Sequence, residues 1–167
     1  NLSALIQAAY LHDTIEDTDT TYADLVKQFG ALVADMVQEL TTDKAASDAI
    51  GKGEYIANKM AKMSSWSLVI KLADRLANVQ DIDTRPADFQ KKYAAQTALA
   101  IKRLRSDRYL SKTHNKIITA IEKKIKEERS KYVIKYFKLK SKLYEKEFGG
   151  VDPMFFNFNI SQPLRRF

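Results

Sequence analysis

The 167-residue sequence is of single-domain size and long enough to bury a core without covalent staples. It has no cysteine, which excludes disulfides and thiolate metal sites. No apolar run reaches the roughly 18 residues that a membrane helix needs, and no signal peptide is visible. The net charge of +7 is unevenly divided: residues 1–80 hold seven Lys/Arg against eleven Asp/Glu, and residues 81–167 hold twenty-one against ten. An acidic front half and a basic back half suit a cation site that faces an anionic substrate.

The hydrophobic spacing is helical nearly throughout, so the expected fold class is all-α. Leu2, Leu5, Ile6 and Ala9 form a first stripe leading into His12-Asp13. Asn1 lies inside that stripe, so a start within a helix, with further chain upstream, is expected. Thr21 with Asp24 marks a capping-box start, and the helix runs to Phe29, where Gly30 interrupts it. Val33, Met36, Val37 and Leu40 make the next stripe. Residues 41–53, with Thr, Asp, Ser and two Gly, read as a loop. Helices are predicted at Tyr55 to Met63, at Leu68 to Val79 with Val69, Leu72, Ala73 and Leu76 inward, and at Phe89 to Leu104. Asp83 to Pro86 is a turn. A long Lys-rich helix follows from Leu110 to Phe148, ended by Gly149-Gly150. The tail to Phe167 holds four phenylalanines and needs a docking surface.

Two segments carry chemistry. His12-Asp13-Thr14-Ile15-Glu16-Asp17 packs one imidazole and three carboxylates into six residues. Such groups repel one another unless a cation or a functional proton compensates. Imidazole with carboxylate, and no thiolate, suits Mn²⁺, Fe²⁺ or Zn²⁺. The second segment is Lys71-Leu72-Ala73-Asp74-Arg75-Leu76-Ala77-Asn78. Asp74 and Asn78 are four apart and share a helix face, which Asp81 extends. A carboxylate in so apolar a helix needs a partner, and Lys71 or Arg75 at its flanks is the plain structural choice.

The two segments, in this order and spacing, resemble the hydrolase domain of the RelA/SpoT-type alarmone enzymes. Phe29-Gly30, Val33, Val37, Leu40-Thr41 and Tyr93 fit the same pattern. The resemblance covers about Leu5 to Leu104, and its compactness is similar to the single-domain small alarmone hydrolases. It implies an all-α HD-domain helical bundle, here with an extra long C-terminal helix and an apolar tail. The expected division is residues 1–108 for the HD-type domain and 109–167 for the basic helix and tail.

The resemblance also implies one Mn²⁺ held by two His and two Asp. His12, Asp13 and Asp74 match three of these. The remaining family His lies on a helix preceding this sequence, and His114 is in the wrong region to replace it. The implied reaction is hydrolysis of the 3′-pyrophosphate of guanosine tetra- or pentaphosphate, in the cytoplasm. Glu16 and Asp17 would handle protons, Asn78 would orient water or a substrate oxygen, and Tyr93, Lys71 and Arg75 would contact substrate. Alternatives are an HD phosphohydrolase acting on another nucleotide, such as an adenosine alarmone or NADPH, and a non-catalytic HD-fold binding protein. The Lys-rich stretch from Lys112 to Lys146 carries no nucleic-acid module, so a solvated helix or a surface for self-association or a partner is the preferred reading.

Overall fold

The helices that begin at Tyr22, Lys44 and Ser65 each start at a side chain that satisfies a free backbone N–H group. The computed structural model describes residues 2–148, with 132, 133, 135–137, 140, 141 and 143–148 described by backbone alone. Its helices are α1 (Leu2–Leu11), α2 (Thr14–Asp17), α3 (Tyr22–Phe29), α4 (Ala31–Leu40), α5 (Lys44–Ile50), α6 (Lys52–Lys62), α7 (Ser65–Gln80), α8 (Ala87–Asp107) and α9 (Lys112–Phe148), with a 3₁₀ turn at Ile82–Thr84. The described residues contain no strand, as the all-α expectation required. The capping box forms as the sequence predicts: Thr21 Oγ1 accepts from the Asp24 amide at 3.2 Å, and Asp24 Oδ2 accepts from the Thr21 amide at 3.0 Å. Ser64 caps α7 in the same way, accepting from the Ser67 amide.

The segment 41–53, expected as a loop, is mostly helical. Asp43 accepts from the Ala46 amide and starts α5, and α6 begins at Lys52. Helix-favouring Ala45 and Ala46 outweigh the polar composition once a cap is present. The break that the sequence signalled narrows to Thr41, Thr42 and Asp43 before α5 and to Gly51, whose φ of +84° turns the chain between α5 and α6. Gly30, also at +84°, does the same between α3 and α4.

The core is built around α4, which packs on α1, α3 and α7 and buries Val33, Ala34, Met36, Val37 and Leu40. On α7 the buried stripe is Leu68, Leu72, Arg75 and Val79, at spacings of four, three and four. The inward face expected there therefore shifts: Ala73 is exposed and Arg75 is inside. The α6–α8 pair is the most extensive helix contact. On α1, Ala8 is buried while Leu2, Ile6 and Tyr10 are exposed.

The chain divides into two units, Asn1–Lys126 and a second that begins at Glu127. The first unit thus runs past the expected 108/109 boundary. The physical reason is that His114, Ile118 and Ile121 at the start of α9 are buried within it. His114 Nδ1 accepts from the Ser111 amide and Nε2 donates to the Ser65 carbonyl at 2.9 Å, which fixes its tautomer and makes it a pin between α9 and α7. The expected Gly149-Gly150 stop and the phenylalanine-rich tail lie outside the described residues. No helix among the described residues is long and apolar enough to cross a membrane.

A Cβ added at Gly53, in the first turn of α6, would meet Gln96 Cγ at 3.5 Å and Leu99 Cδ2 at 3.7 Å, both ordinary contacts. Gly53→Ala is therefore expected to stabilise the protein by about 0.5–1 kcal/mol through lost freedom of the unfolded chain. Urea unfolding checks this; a lowered midpoint would mean that α6 and α8 cannot absorb the methyl.

Candidate active site

The end of α1 delivers His12 and Asp13, and α2 follows at once with Glu16 and Asp17. Four residues are too few for a helix to hold itself, and α2 buries none of them, so tertiary contacts must position it. His12 Nδ1 lies 2.8 Å from the Ala9 carbonyl. A carbonyl only accepts, so Nδ1 carries a proton, and Nε2 is the ring nitrogen turned toward Asp13. That Nε2 lies 3.0 Å from Asp13 Oδ2. Two acceptors this close repel unless a proton or a cation joins them. The donor chemistry, one imidazole nitrogen and one carboxylate oxygen, fits a divalent cation of intermediate softness.

Glu16 is half-buried, and its Oε1 accepts from the Thr42 amide at 2.5 Å. Asp17 is exposed at the end of α2. On α7, which packs against α1, Asp74 Oδ2 lies 3.3 Å from Lys71 Nζ, and Asp74 Oδ1 accepts from Asn78 Nδ2 at 2.7 Å. The helical spacing of Asp74 and Asn78 thus becomes a direct hydrogen bond. Among the described residues, no three His, Asp or Glu side chains are gathered so as to hold a metal. Asp74 stands on the neighbouring helix with Lys71 supplying its counter-charge.

Arg75 departs from the substrate contact expected of it. It is only 2% exposed, its Nη1 donates to Thr97 Oγ1 at 2.7 Å, and its guanidinium lies 5.0 Å from the centre of the Tyr93 ring. Its buried Nε has no hydrogen-bond partner among the described residues. Burial pushes the guanidinium pKa down from its ordinary value, and neighbouring Tyr93 and Asp74 oppose that shift. Tyr93 is half-buried and stacks on Phe89 with ring centres 5.6 Å apart. Burial pushes its phenol pKa up; the Arg75 charge and a hydrogen bond with Asn78 pull it back. Arg75 and Tyr93 are thus in contact, beside the Asn78–Asp74 pair on α7, with Arg75 as the buried support of the Tyr93 ring.

Sequence reasoning missed Lys59 and Tyr55 on α6. Lys59 is half-buried; its ammonium donates to the Thr41 carbonyl and sits 5.7 Å from the Tyr55 ring centre. Burial first, and then Lys71, push its pKa down, while Glu16, Asp43 and Glu39 pull it up. It thus feels the charge of Glu16 on α2 and of Lys71 on α7. The two residues share a helix face, but nothing in the sequence names the turn they reach.

Arg75→Ala is expected to cost about 2–3 kcal/mol, because it empties a buried site and removes the support of the Tyr93 ring. Tyr93→Phe keeps the ring and is expected to cost under about 1 kcal/mol. Thermal or urea unfolding of both variants separates the two; equal losses would count against Arg75 as the support.

The chain matches the HD domain family over residues 2–101. It is 43% identical over 79 residues to guanosine-3′,5′-bis(diphosphate) 3′-pyrophosphohydrolase MESH1 of Danio rerio, covering 47% of this chain and 43% of that protein. The human protein of the same name is 39% identical over 79 residues, covering 47% and 44%. Guanosine-3′,5′-bis(diphosphate) 3′-pyrophosphohydrolase of Aquifex aeolicus is 36% identical over 101 residues, covering 55% and 14%. The matched region is thus less than half the length of each of these relatives. A solved structure described as a metazoan ortholog of SpoT that hydrolyzes ppGpp superposes with a TM-score of 0.62 at 25% identity, covering 75% of this chain and 70% of that one. With its helical core and its paired His12-Asp13, the chain belongs to the HD domain family.

Proposed function

We propose that this chain hydrolyses the 3′-pyrophosphate of guanosine tetra- or pentaphosphate, giving GDP or GTP and pyrophosphate, with Mn²⁺ as its metal and the cytoplasm as its compartment. The observation that carries the reading is His12 Nε2 within 3.0 Å of Asp13 Oδ2, which sets an imidazole nitrogen and a carboxylate oxygen side by side as donors that a cation could share. The names of the relatives supply the substrate class. His12 and Asp13 would hold the metal, with Asp74 from α7 as the third ligand. When bound there, a divalent ion supplies Lewis-acid charge to the phosphoryl group under attack.

The remaining work falls to side chains. Water attacks the phosphorus joined to the ribose 3′ oxygen, that P–O bond breaks, and the oxygen leaves with a proton. Glu16, held by the Thr42 amide, takes the proton from the attacking water. Asp17, exposed beside it, serves the leaving oxygen. Asn78 orients a substrate oxygen or the water from one turn beyond Asp74, and Tyr93 contacts the ribose or a phosphate. Lys71, already paired with Asp74, meets the phosphate charge. Arg75 acts by holding Tyr93 rather than by touching substrate.

One observation favours a second reading, a non-catalytic binding protein: Asp74 is engaged by Lys71 and Asn78 and is not gathered with His12 and Asp13 into a three-ligand set. Pyrophosphate release from guanosine tetraphosphate in the presence of Mn²⁺ decides between them. The hydrolase reading expects release that a chelator stops and that Asp74→Ala or His12→Ala lowers by about 10²–10³-fold or more. Tight nucleotide binding without release, from folded protein, would establish the second reading.

A further inference from the structure

We infer that Lys59 and Tyr55 are positioning residues for the Glu16 carboxylate, acting through the turn at Thr41, Thr42 and Asp43. The inference rests on the proposed role of Glu16 as the proton-handling group.

Three successive residues join α4 to α5, and each offers one backbone group to a side chain. The Thr41 carbonyl accepts from Lys59 Nζ. The Thr42 amide donates to Glu16 Oε1 at 2.5 Å. The Asp43 amide donates to Tyr55 Oη at 2.8 Å. The two outer groups are held from α6, and the middle one holds the carboxylate. Tyr55 and Lys59 are four apart on one helix face, and the ammonium lies over the phenol ring. Between them in sequence, Ala57 is fully buried, and Met60 follows, so the helix that carries both is fixed in the core.

The arrangement answers a specific mechanical need. Glu16 sits on a four-residue helix with no buried residue. Its carboxylate cannot take its position from α2 alone, and a backbone amide is a rigid donor only if its turn is rigid. Lys59 and Tyr55 supply that rigidity from both sides. Among the described residues no hydrogen bond engages Glu16 Oε2, so the held carboxylate keeps one oxygen for a proton. Misplacing a reacting group by about 1 Å can cost about 100-fold in rate.

Lys59→Met keeps the stem and removes the donor; Tyr55→Phe removes only the acceptor for the Asp43 amide. Two readouts test the inference. The first is hydrogen exchange at the Thr42 amide in the metal-free protein. Exchange is expected to rise about 10-fold or more in Lys59→Met, as it does in Glu16→Ala, and to rise in Tyr55→Phe. The second is steady-state pyrophosphate release with Mn²⁺ and guanosine tetraphosphate. Here kcat is expected to fall about 10- to 100-fold in Lys59→Met with KM within about 3-fold, and Lys59→Arg is expected to recover most of the loss. In a Glu16→Gln background, Lys59→Met is expected to lower kcat little further. Unchanged Thr42 exchange in Tyr55→Phe and Lys59→Met would overturn the inference, as would faster exchange with an unaltered kcat. If the parent protein releases no pyrophosphate, the proposed reaction falls, and the exchange comparison still decides whether α6 positions Glu16. If Lys59→Met does not fold, Tyr55→Phe carries both readouts.

Discussion

The burial of α4 against three helices at once is the constraint on which the rest of the first unit depends. Half of its residues are buried, and they contact α1, α3 and α7. Because α1 leads directly into His12 and α7 carries Asp74, that packing sets the spacing between the two halves of the candidate site. The C-terminus of α4 does a second job. It releases the chain at Thr41, directly into the turn whose amide grips Glu16. Core and site are therefore joined by one element, and truncating a fully buried residue such as Val37 or Leu40 would disturb both.

Charge is handled in two ways. Lys71 is paired directly with Asp74 at 3.3 Å. Lys59 gives its ammonium to the Thr41 carbonyl, with burial and Lys71 lowering its pKa and Glu16, Asp43 and Glu39 raising it. Arg75 shows another arrangement: a guanidinium withdrawn from solvent, bonded through Nη1 to Thr97 and lying over the Tyr93 ring. The same helix thus holds one basic residue paired with a carboxylate and another used as scaffold.

Polar turns carry much of the functional geometry. Glu16, Lys59 and Tyr55 all bond to backbone groups of a three-residue connection. A helix terminus leaves such groups free, and here they are met by side chains from distant segments. This explains why a segment that reads as an uneventful loop matters. Its composition says turn; its importance comes from what lies across from it.

The sequence by itself determined the all-α class, most helix positions, the capping box at Thr21 and the two chemistry-bearing segments. These are local properties: hydrophobic period, cap residues and the density of like charges at His12 to Asp17 are all written in neighbouring positions. It also determined the Asp74–Asn78 pairing, because a separation of four residues fixes a shared helix face. Only the tertiary structure decided that Arg75 points inward, since the winning stripe on α7 depended on Thr97 and Tyr93 from α8. Only the tertiary structure extended the first unit to Lys126, through His114 and the isoleucines behind it. And only the fold joined Lys59 and Tyr55 to Glu16, because those contacts span tens of residues and pass through backbone atoms that carry no sequence signature.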